Sequence, residues 1–419
     1  MYISYIEIII SQKRKKIKSP QKAAPQGLQK RLKYGILFID NYDTRGGDGL
    51  ATRFLHIGDL HLGSALGGMR GGEARAWRDE ALEALREILK KARDEGASFL
   101  LFAGDVFDTP TPDSALAERF FAILRDSALP TLIAPGNHDY FIRGGVYDRG
   151  DCPPNVFVFR EATLTAKSLP ALGVTVYGYA FLGDTHEAPA LPTKEELAKD
   201  SINLLLAHGM LGAPASPYAP ITGAALSLSG FDYAALGHVH LPSPPRRFGN
   251  TVAAYSGFFA GRGFDETGEG HANLVTVEGA CTKILPLTST AYQFHVLDVD
   301  CGGLASGEDV RRLVADTLAD ASLPEKSAVR VMLSGEVDAD CSISTHALMR
   351  LGEGFSLFEI KDKTTPLFDR ASLLCEPTLQ GAFYRAMLPR MESADEQTRL
   401  IATEALRLGL GALAGKEVE

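Results

Sequence analysis

The stretch Leu55-His56-Ile57-Gly58-Asp59-Leu60-His61-Leu62-Gly63-Ser64 decides how the rest of the chain is read. The apolar run Arg53–Ile57 has the length of a buried strand, and it stops at a glycine that lets the backbone turn. Asp59 and His61 follow, two residues apart, so on extended backbone both side chains point the same way. Four later segments repeat the device: Gly104-Asp105-Val106-Phe107-Asp108, Gly136-Asn137-His138-Asp139, Ala207-His208-Gly209 and Gly237-His238-Val239-His240. Each closes an apolar run with a side chain able to hold a metal. In α/β sheets the carboxyl ends of strands are where ligand sites gather. Any one of these segments alone reads as a turn. Five in order read as one centre.

Outward from this stretch the pattern is α/β. Glu73–Glu95 reads as an amphipathic helix, with Trp77, Ala81, Leu85, Ile88 and Ala92 on one face and Gly96 as its stop. Ser98–Ala103 is a buried strand, Ser114–Asp126 a helix and Thr131–Ala134 a strand. Short apolar strands follow at Val174–Tyr179, Asn203–Ala207, Tyr233–Leu236, Thr251–Tyr255 and Ala272–Val277. Strands alternating with helices, then strands in succession, predict a large mixed-sheet sandwich flanked by helices. Beyond Tyr292 the pattern changes to a small α+β unit with a strand over Gln293–Val299, a helix over Glu308–Leu318 and a strand over Ala328–Leu333. The end of the chain is helical. Pro377 opens one helix, and Ser393 with Glu396 forms a capping box for a second, whose apolar face is Ile401, Ala405, Leu408 and Ala412.

The expected organisation is an extension over 1–50, a large domain over 51–288, a small α+β domain over 289–376 and C-terminal helices over 377–419. Residues 1–50 carry the basic cluster Lys13, Arg14, Lys15, Lys16 and Lys18 after an apolar start, the reverse of a secretory signal. They are expected to be a disordered or mis-assigned extension, with a basic nucleic-acid arm as the sharper alternative.

Bulk properties narrow the class. The 419 residues hold 45% hydrophobic and 23% charged side chains, an ordinary globular balance. No apolar run approaches the roughly 20 residues that span a bilayer, so a soluble, cytoplasmic protein with no membrane partner is expected. The five cysteines are odd in number and scattered, which suits a reducing compartment and argues against a disulfide framework. A net charge of −9 argues against a chain coated in positive charge for nucleic acid. A local basic groove or a partner could still supply phosphate contacts. The donor mix of carboxylate, imidazole and amide oxygen suits Mn, Fe or Zn, and the lack of thiolate argues against a structural zinc site.

The order DxH, GDxxD, GNHD, H, GHxH resembles that of the calcineurin-like metallophosphoesterases. In its detail, with LHIGDLHLGS, FAGDVFD, APGNHDY and ALGHVH, it is similar to the SbcD/Mre-type DNA repair exonucleases, and YSGFFAGRGFDETGEGH at 255–271 resembles their YhaO-like bacterial subgroup. This resemblance implies a four-layer sandwich of two mixed sheets flanked by helices, with a small α+β cap domain and C-terminal helices. It implies two divalent ions, foremost Mn, with Fe, Zn or Mg as alternatives. Asp59, His61 and His240 would hold one ion, and Asn137, His208 and His238 the other, with Asp105 bridging. Such a pair clamps phosphate oxygens and activates a water for in-line attack. His138 would then be the catalytic non-ligand, oriented by Asp108. The implied partners are DNA, an SMC-like, SbcC-type coiled-coil ATPase docked on C-terminal helices, and a second copy of the chain.

Several residues stay open between two readings. Arg262 either meets a phosphate or is a solvated loop arginine. Asp139 either supports the site or belongs to a turn, and His56 is a packed or supporting residue. His186, His271, His295 and His346 read as surface or core. The stripe Leu116, Phe120 and Leu124 is core, or else a dimer surface. The helices over 377–413 either serve the ATPase or pack on the cap. For function, a DNA exo/endonuclease competes with a small-molecule phosphodiesterase or phosphatase, and with a DNA-tethering protein of weak hydrolysis.

Overall fold

The computed structural model describes residues 37–39, 51–66, 71–324, 326–338, 341–367 and 370–413. By its internal contacts the chain divides into two units, Met1–Gly35 and Ile36–Glu419. The expectations for the basic cluster and the rest of the N-terminal extension lie outside the described residues, except for β1 (Leu37–Ile39). That apolar tripeptide pairs with the open edge of a sheet, inside a stretch expected to stand apart from the fold.

The second unit begins with alternating elements: β2 (Thr52–Ile57), α1 (Gly71–Asp94), β3 (Phe99–Phe102), α2 (Ser114–Ser127), β4 (Thr131–Ile133) and β5 (Val156–Val158). Strands β6 (Thr165–Leu169), β7 (Val174–Gly178) and β8 (Ile202–His208) follow, then the short α3 (Gly223–Ser229) and β9 (Tyr233–Gly237). The domain closes with β10 (Arg246–Phe248), β11 (Thr251–Tyr255), β12 (His271–Glu278) and β13 (Cys281–Thr288). One sheet has the order β1-β13-β12-β2-β3-β4-β5 and the other β10-β11-β9-β8-β7-β6. Strands β2 to β5 run parallel, as do β7, β8, β9 and β11, with antiparallel strands at the margins.

Both faces of the central strands are covered, which explains why they read as unbroken apolar runs. Along β2 the alternation assigns the layers. Leu55 and Ile57 pack under α1 and α2 with Leu85, Ile88, Phe120 and Leu124. Phe54 joins Phe99, Leu101, Val176, Leu204, Leu206 and Val252 between the two sheets. Burying each such side chain contributes roughly 1.5–3 kcal/mol. The α1 face expected from the sequence is the buried one: Trp77, Ala81, Leu85, Ile88 and Ala92 are all inside. Phe120 and Leu124 are fully buried and Leu116 packs on the same cluster, so the stripe on α2 belongs to the core. The outer face of the second sheet is covered more thinly, by α3 and loops around Tyr179, Phe181, Ile221 and Phe231. The four-layer sandwich is therefore as expected, with one thin outer layer.

A three-stranded parallel sheet follows, made of β14 (Gln293–Asp300), β15 (Ser327–Ser334) and β17 (Leu357–Asp362), with α4 (Gly307–Ala321) as a crossover. The two-residue strands β16 (Glu336–Val337) and β18 (Thr365–Pro366) pair beside it, and α5 (Thr345–Met349) precedes β17. Trp77 stacks on Tyr292 at 4.5 Å between ring centres and meets Phe294 at 4.7 Å, joining this cap to the sandwich.

Helices α6 (Arg370–Cys375), α7 (Leu379–Met391) and α8 (Glu396–Leu413) end the described chain. Their caps differ from the sequence reading. Thr378, not Pro377, caps α7 by accepting from Gly381 N, and Asp395, not Ser393, accepts from Thr398 N at the start of α8. The buried face of α8 is Ala402, Leu406 and Leu410, rotated by one to two positions from the expected stripe; Ala405 packs at its margin and Ile401 is 62% exposed. The reason is the neighbouring helix: α7 presents Tyr384 and Met387 to that face, and Phe383 lies where any side chain at Gly409 would go. Among the described residues no helix is long and apolar enough to cross a membrane.

Candidate metal centre

The five predicted segments meet at the carboxyl ends of β2, β3, β4, β8 and β9. Beyond the strands the loops keep pairing: Asp59 N donates to Gly104 O at 3.2 Å, His61 N to Asp105 O at 2.8 Å and Leu62 N to Val106 O at 2.8 Å. This backbone is contorted. Asp59, His61, Asp105 and His238 have φ of 52°, 44°, 49° and 101°, which L residues adopt at a cost of about 1–3 kcal/mol each. Two motif glycines are required by space. A Cβ on Gly136 would lie 2.2 Å from Asp105 Oδ1, and one on Gly237 would lie 1.9 Å from Ala103 O.

Asp139 fastens these loops. Its buried carboxylate accepts from Asp105 N, Val106 N, Phe107 N and Gly136 N at 2.7–3.2 Å, and from Tyr147 Oη at 2.5 Å. It is therefore a supporting residue in the interior, shaping the two loops that carry Asp105 and Asn137.

Asp105 stands at the middle. Its Oδ1 accepts from His138 N at 2.9 Å, which turns Oδ2 toward His61 Nε2 at 3.5 Å and His208 Nε2 at 3.3 Å. To one side, His61 Nε2 and His240 Nε2 approach to 3.2 Å, with Asp59 Oδ1 3.9 Å from His240 Nε2. To the other, Asn137 Oδ1 is 2.9 Å from His208 Nε2 and 3.2 Å from His238 Nδ1. All seven predicted ligands are thus brought together. Donor atoms of Asp59, His61 and His240, and of Asp59, Asp105 and His208, lie within 4.8 Å of one another.

The chemistry of this donor set fits divalent ions. Asp59 and Asp105 are both about 1% exposed and share the centre with lone-pair donors. Two buried carboxylates this close require compensating positive charge. In the protein alone, protons must supply it. Burial opposes charge on His208, but Asp105 beside it outweighs that and lifts its pKa to about 9. Burial also opposes charge on Asp105, yet His208 and His61 hold its carboxyl far below the usual range. His238 goes the other way, lowered to about 3 by burial and by His208. Donor atoms across the centre stand 2.9–3.9 Å apart, close enough for several of them to share one ion.

The remote ring nitrogens support the same reading, since metal-binding histidines usually give their second N–H to a carboxylate or carbonyl. His61 Nδ1 faces Asp108 Oδ1 at 3.0 Å, His208 Nδ1 faces Ala103 O at 2.9 Å, and His240 Nδ1 faces Glu266 Oε1 at 2.6 Å. Asp108 also holds His138 Nδ1 at 3.2 Å. Burial works against its charge, but the hydrogen bonds to His138 and His61 keep its carboxyl well below the usual range. The same bond raises the His138 pKa. His138 is the open member of the group, its side chain 42% exposed.

Two residues need correction or addition. Arg262, expected to meet a phosphate or solvent, is instead bound to a neighbour: Nε lies 3.0 and 3.1 Å from the Glu266 oxygens, and Nη1 is 3.6 Å from Asp108 Oδ1. Glu266 itself, 4% exposed, was not singled out by the sequence. The only signal for it is its place in the FDETGEGH segment. His56 is packed, as expected, between Tyr233 Oη and Leu236 O, and burial lowers its pKa to about 3. His186, by Ala162 O, His271, His295 and His346 stand outside the cluster.

Comparison with known proteins agrees with this geometry. Residues 52–242 match the calcineurin-like phosphoesterase family. The chain is 29% identical over 199 residues to the metallophosphoesterase YhaO of Bacillus subtilis (strain 168), covering 45% of this chain and 48% of that one. It is 23% identical over 221 residues to the DNA double-strand break repair protein Mre11 of Methanopyrus kandleri, covering 49% and 48%. It is 28% identical over 270 residues to the SbcD component of the nuclease SbcCD of Bacillus subtilis (strain 168), covering 54% and 66%. The chain thus spans about half the length of the first two relatives and about two thirds of the third. Residues 52–242, which carry every converging side chain from Asp59 to His240, form a calcineurin-like metallophosphoesterase domain.

Proposed function

We propose that this protein is a metal-dependent DNA phosphodiesterase acting as an exo- or endonuclease in DNA repair. The observation that carries the hydrolytic half is the convergence of Asp59, His61 and His240 on one side of Asp105 and Asn137, His208 and His238 on the other. Support for DNA comes from the names of two relatives, a break-repair protein and a nuclease component.

Two divalent ions held by these seven residues would polarise a phosphodiester and activate a water against it. The chain's own residues do the rest. Asp108 holds the Nδ1–H of His138, and this partly exposed imidazole can stabilise charge on the phosphate or protonate the leaving oxygen. Asp139 and Tyr147 hold the loops of Asp105 and Asn137 together, and Asp105 in its positive φ. Residues 52–66 and 99–108, zipped together past their strands, fix Asp59 and Asp105 relative to each other. A coiled-coil ATPase would find exposed apolar side chains on the C-terminal helices, at Leu379, Leu400 and Ile401.

The net charge of −9 favours a second reading, a small-molecule phosphodiesterase on the same core. One experiment separates the two. Purified protein with Mn²⁺ is offered linear duplex DNA, single-stranded DNA and bis-p-nitrophenyl phosphate, beside His138→Ala and Asp105→Ala. Metal-dependent cleavage of DNA, lost in both variants, is expected. Cleavage of the small diester with neither DNA attacked, even with an ATPase partner present, would sink the nuclease reading, and DNA binding without cleavage would favour a tethering role.

A further inference from the structure

We infer that Glu266 is a positioning residue for His240, braced by Arg262, and that this pair determines occupancy on one side of the centre; the inference rests on the two-ion reading above. Glu266 lies 26 residues beyond His240, outside the 52–242 match, on the glycine-rich segment that leads into β12.

Its carboxylate is 4% exposed and reaches three groups at once. Oε1 lies 2.6 Å from His240 Nδ1, both oxygens take the Arg262 Nε, and Oε2 accepts from Arg262 N at 3.0 Å. An acceptor at Nδ1 places the His240 proton there and leaves Nε2, the atom 3.2 Å from His61 Nε2, with its lone pair free. Arg262 Nη2 is also 3.0 Å from His240 Nδ1. With Nδ1 protonated, that approach is two donors side by side on one carboxylate, not a bond between them. Between Glu266 and Asp108, Arg262 offsets the charge of two carboxylates, with Nε and Nη2 bound to Glu266.

The segment is held in place from the cap. Phe264 packs edge-on against Phe294 at 5.1 Å, Arg330 covers it at 3.9 Å, and Gly268 N donates to Phe294 O at 2.8 Å. Trp77 Nε1 donates to Gly261 O at 3.0 Å. Glu266 is therefore anchored on both flanks, by Trp77 of α1 before it and by Phe294 and Arg330 after it.

The test is metal binding rather than turnover. Wild type, E266A, E266Q and R262A, each checked for wild-type melting behaviour, are titrated with Mn²⁺ by calorimetry and with Co²⁺ by visible absorption. In E266A one of two ions is expected to bind about 10–100-fold more weakly, with an altered cobalt spectrum for that ion only. E266Q, which keeps an acceptor but no charge, and R262A should fall between E266A and wild type. Wild-type affinity and spectrum in folded E266A overturn the inference, as does equal weakening of both ions, which marks a merely structural role. Where E266A does not fold, E266Q decides, and wild-type binding by it is the overturning result. A wild-type protein that binds no pair of ions at all would instead remove the two-ion reading on which the inference rests.

Discussion

The two sides of the centre are built by different means. On the side of Asp59, the imidazoles of His61 and His240 are backed by carboxylates, Asp108 and Glu266, and Arg262 lies between those two acids. On the side of Asn137, His208 is backed by a main-chain carbonyl, Ala103 O, deep in the sandwich. A carboxylate behind a histidine raises its basicity and brings charge that must be balanced. A carbonyl sets the same tautomer with no net charge. The first side is therefore tunable by side chains, while the second is tied to the strands themselves. Occupancy of the first should respond to single substitutions in its surroundings, and occupancy of the second chiefly to changes in its own ligands.

The largest expected effect would erase the distinction. Asp105→Ala removes the one carboxylate that faces both sides, so neither ion should bind tightly and hydrolysis should fall to background; metal content after gel filtration checks this. Next, His138→Ala should lower the rate about 10²–10⁴-fold while leaving metal stoichiometry at the wild-type value. A variant that also lost an ion would place His138 among the ligands. Asp108→Asn sharpens the comparison itself. It should weaken the ion beside His61 by about 10–100-fold without touching the ion beside His208, measured by titration with Co²⁺. The smallest effect falls on the support. Tyr147→Phe removes a buried donor from Asp139 and should cost about 1–3 kcal/mol in urea unfolding, with both ions still bound.

The helices show where local reading held and where it failed. The face of α1 was legible because it packs on one broad, flat neighbour, the sheet, so apolar period and buried face coincide. On α8 the expected stripe was off by one to two residues. Its neighbours are α7, with Leu373 of α6, and the rings of Phe383 and Tyr384 choose which positions are covered. Likewise the caps at Thr378 and Asp395 competed with plausible neighbours one or two residues away, and only the hydrogen bond itself distinguishes them. Leu37–Ile39 could not be foreseen as a strand, because its pairing strand, Cys281–Thr288, lies far along the chain.

By itself the sequence determined the sandwich and the five segments that would meet, because strand length and the polar residues closing each apolar run are local properties of the chain; the extended backbone expected at Asp59, His61 and His238 is replaced by positive φ. The donor types, which follow from residue identity, pointed to divalent ions, and the reaction class came with the resemblance of the ordered motifs to the calcineurin-like metallophosphoesterases. What only the tertiary structure decided is how those donors are held. Asp139 lies at the hub of two loops, Arg262 pairs with Glu266, and Glu266 reaches His240 across 26 residues. Each of these depends on a carboxylate in the interior meeting a donor distant in sequence. Such a meeting leaves no periodicity in the chain, because it is set by the crossing of loops at the sheet ends.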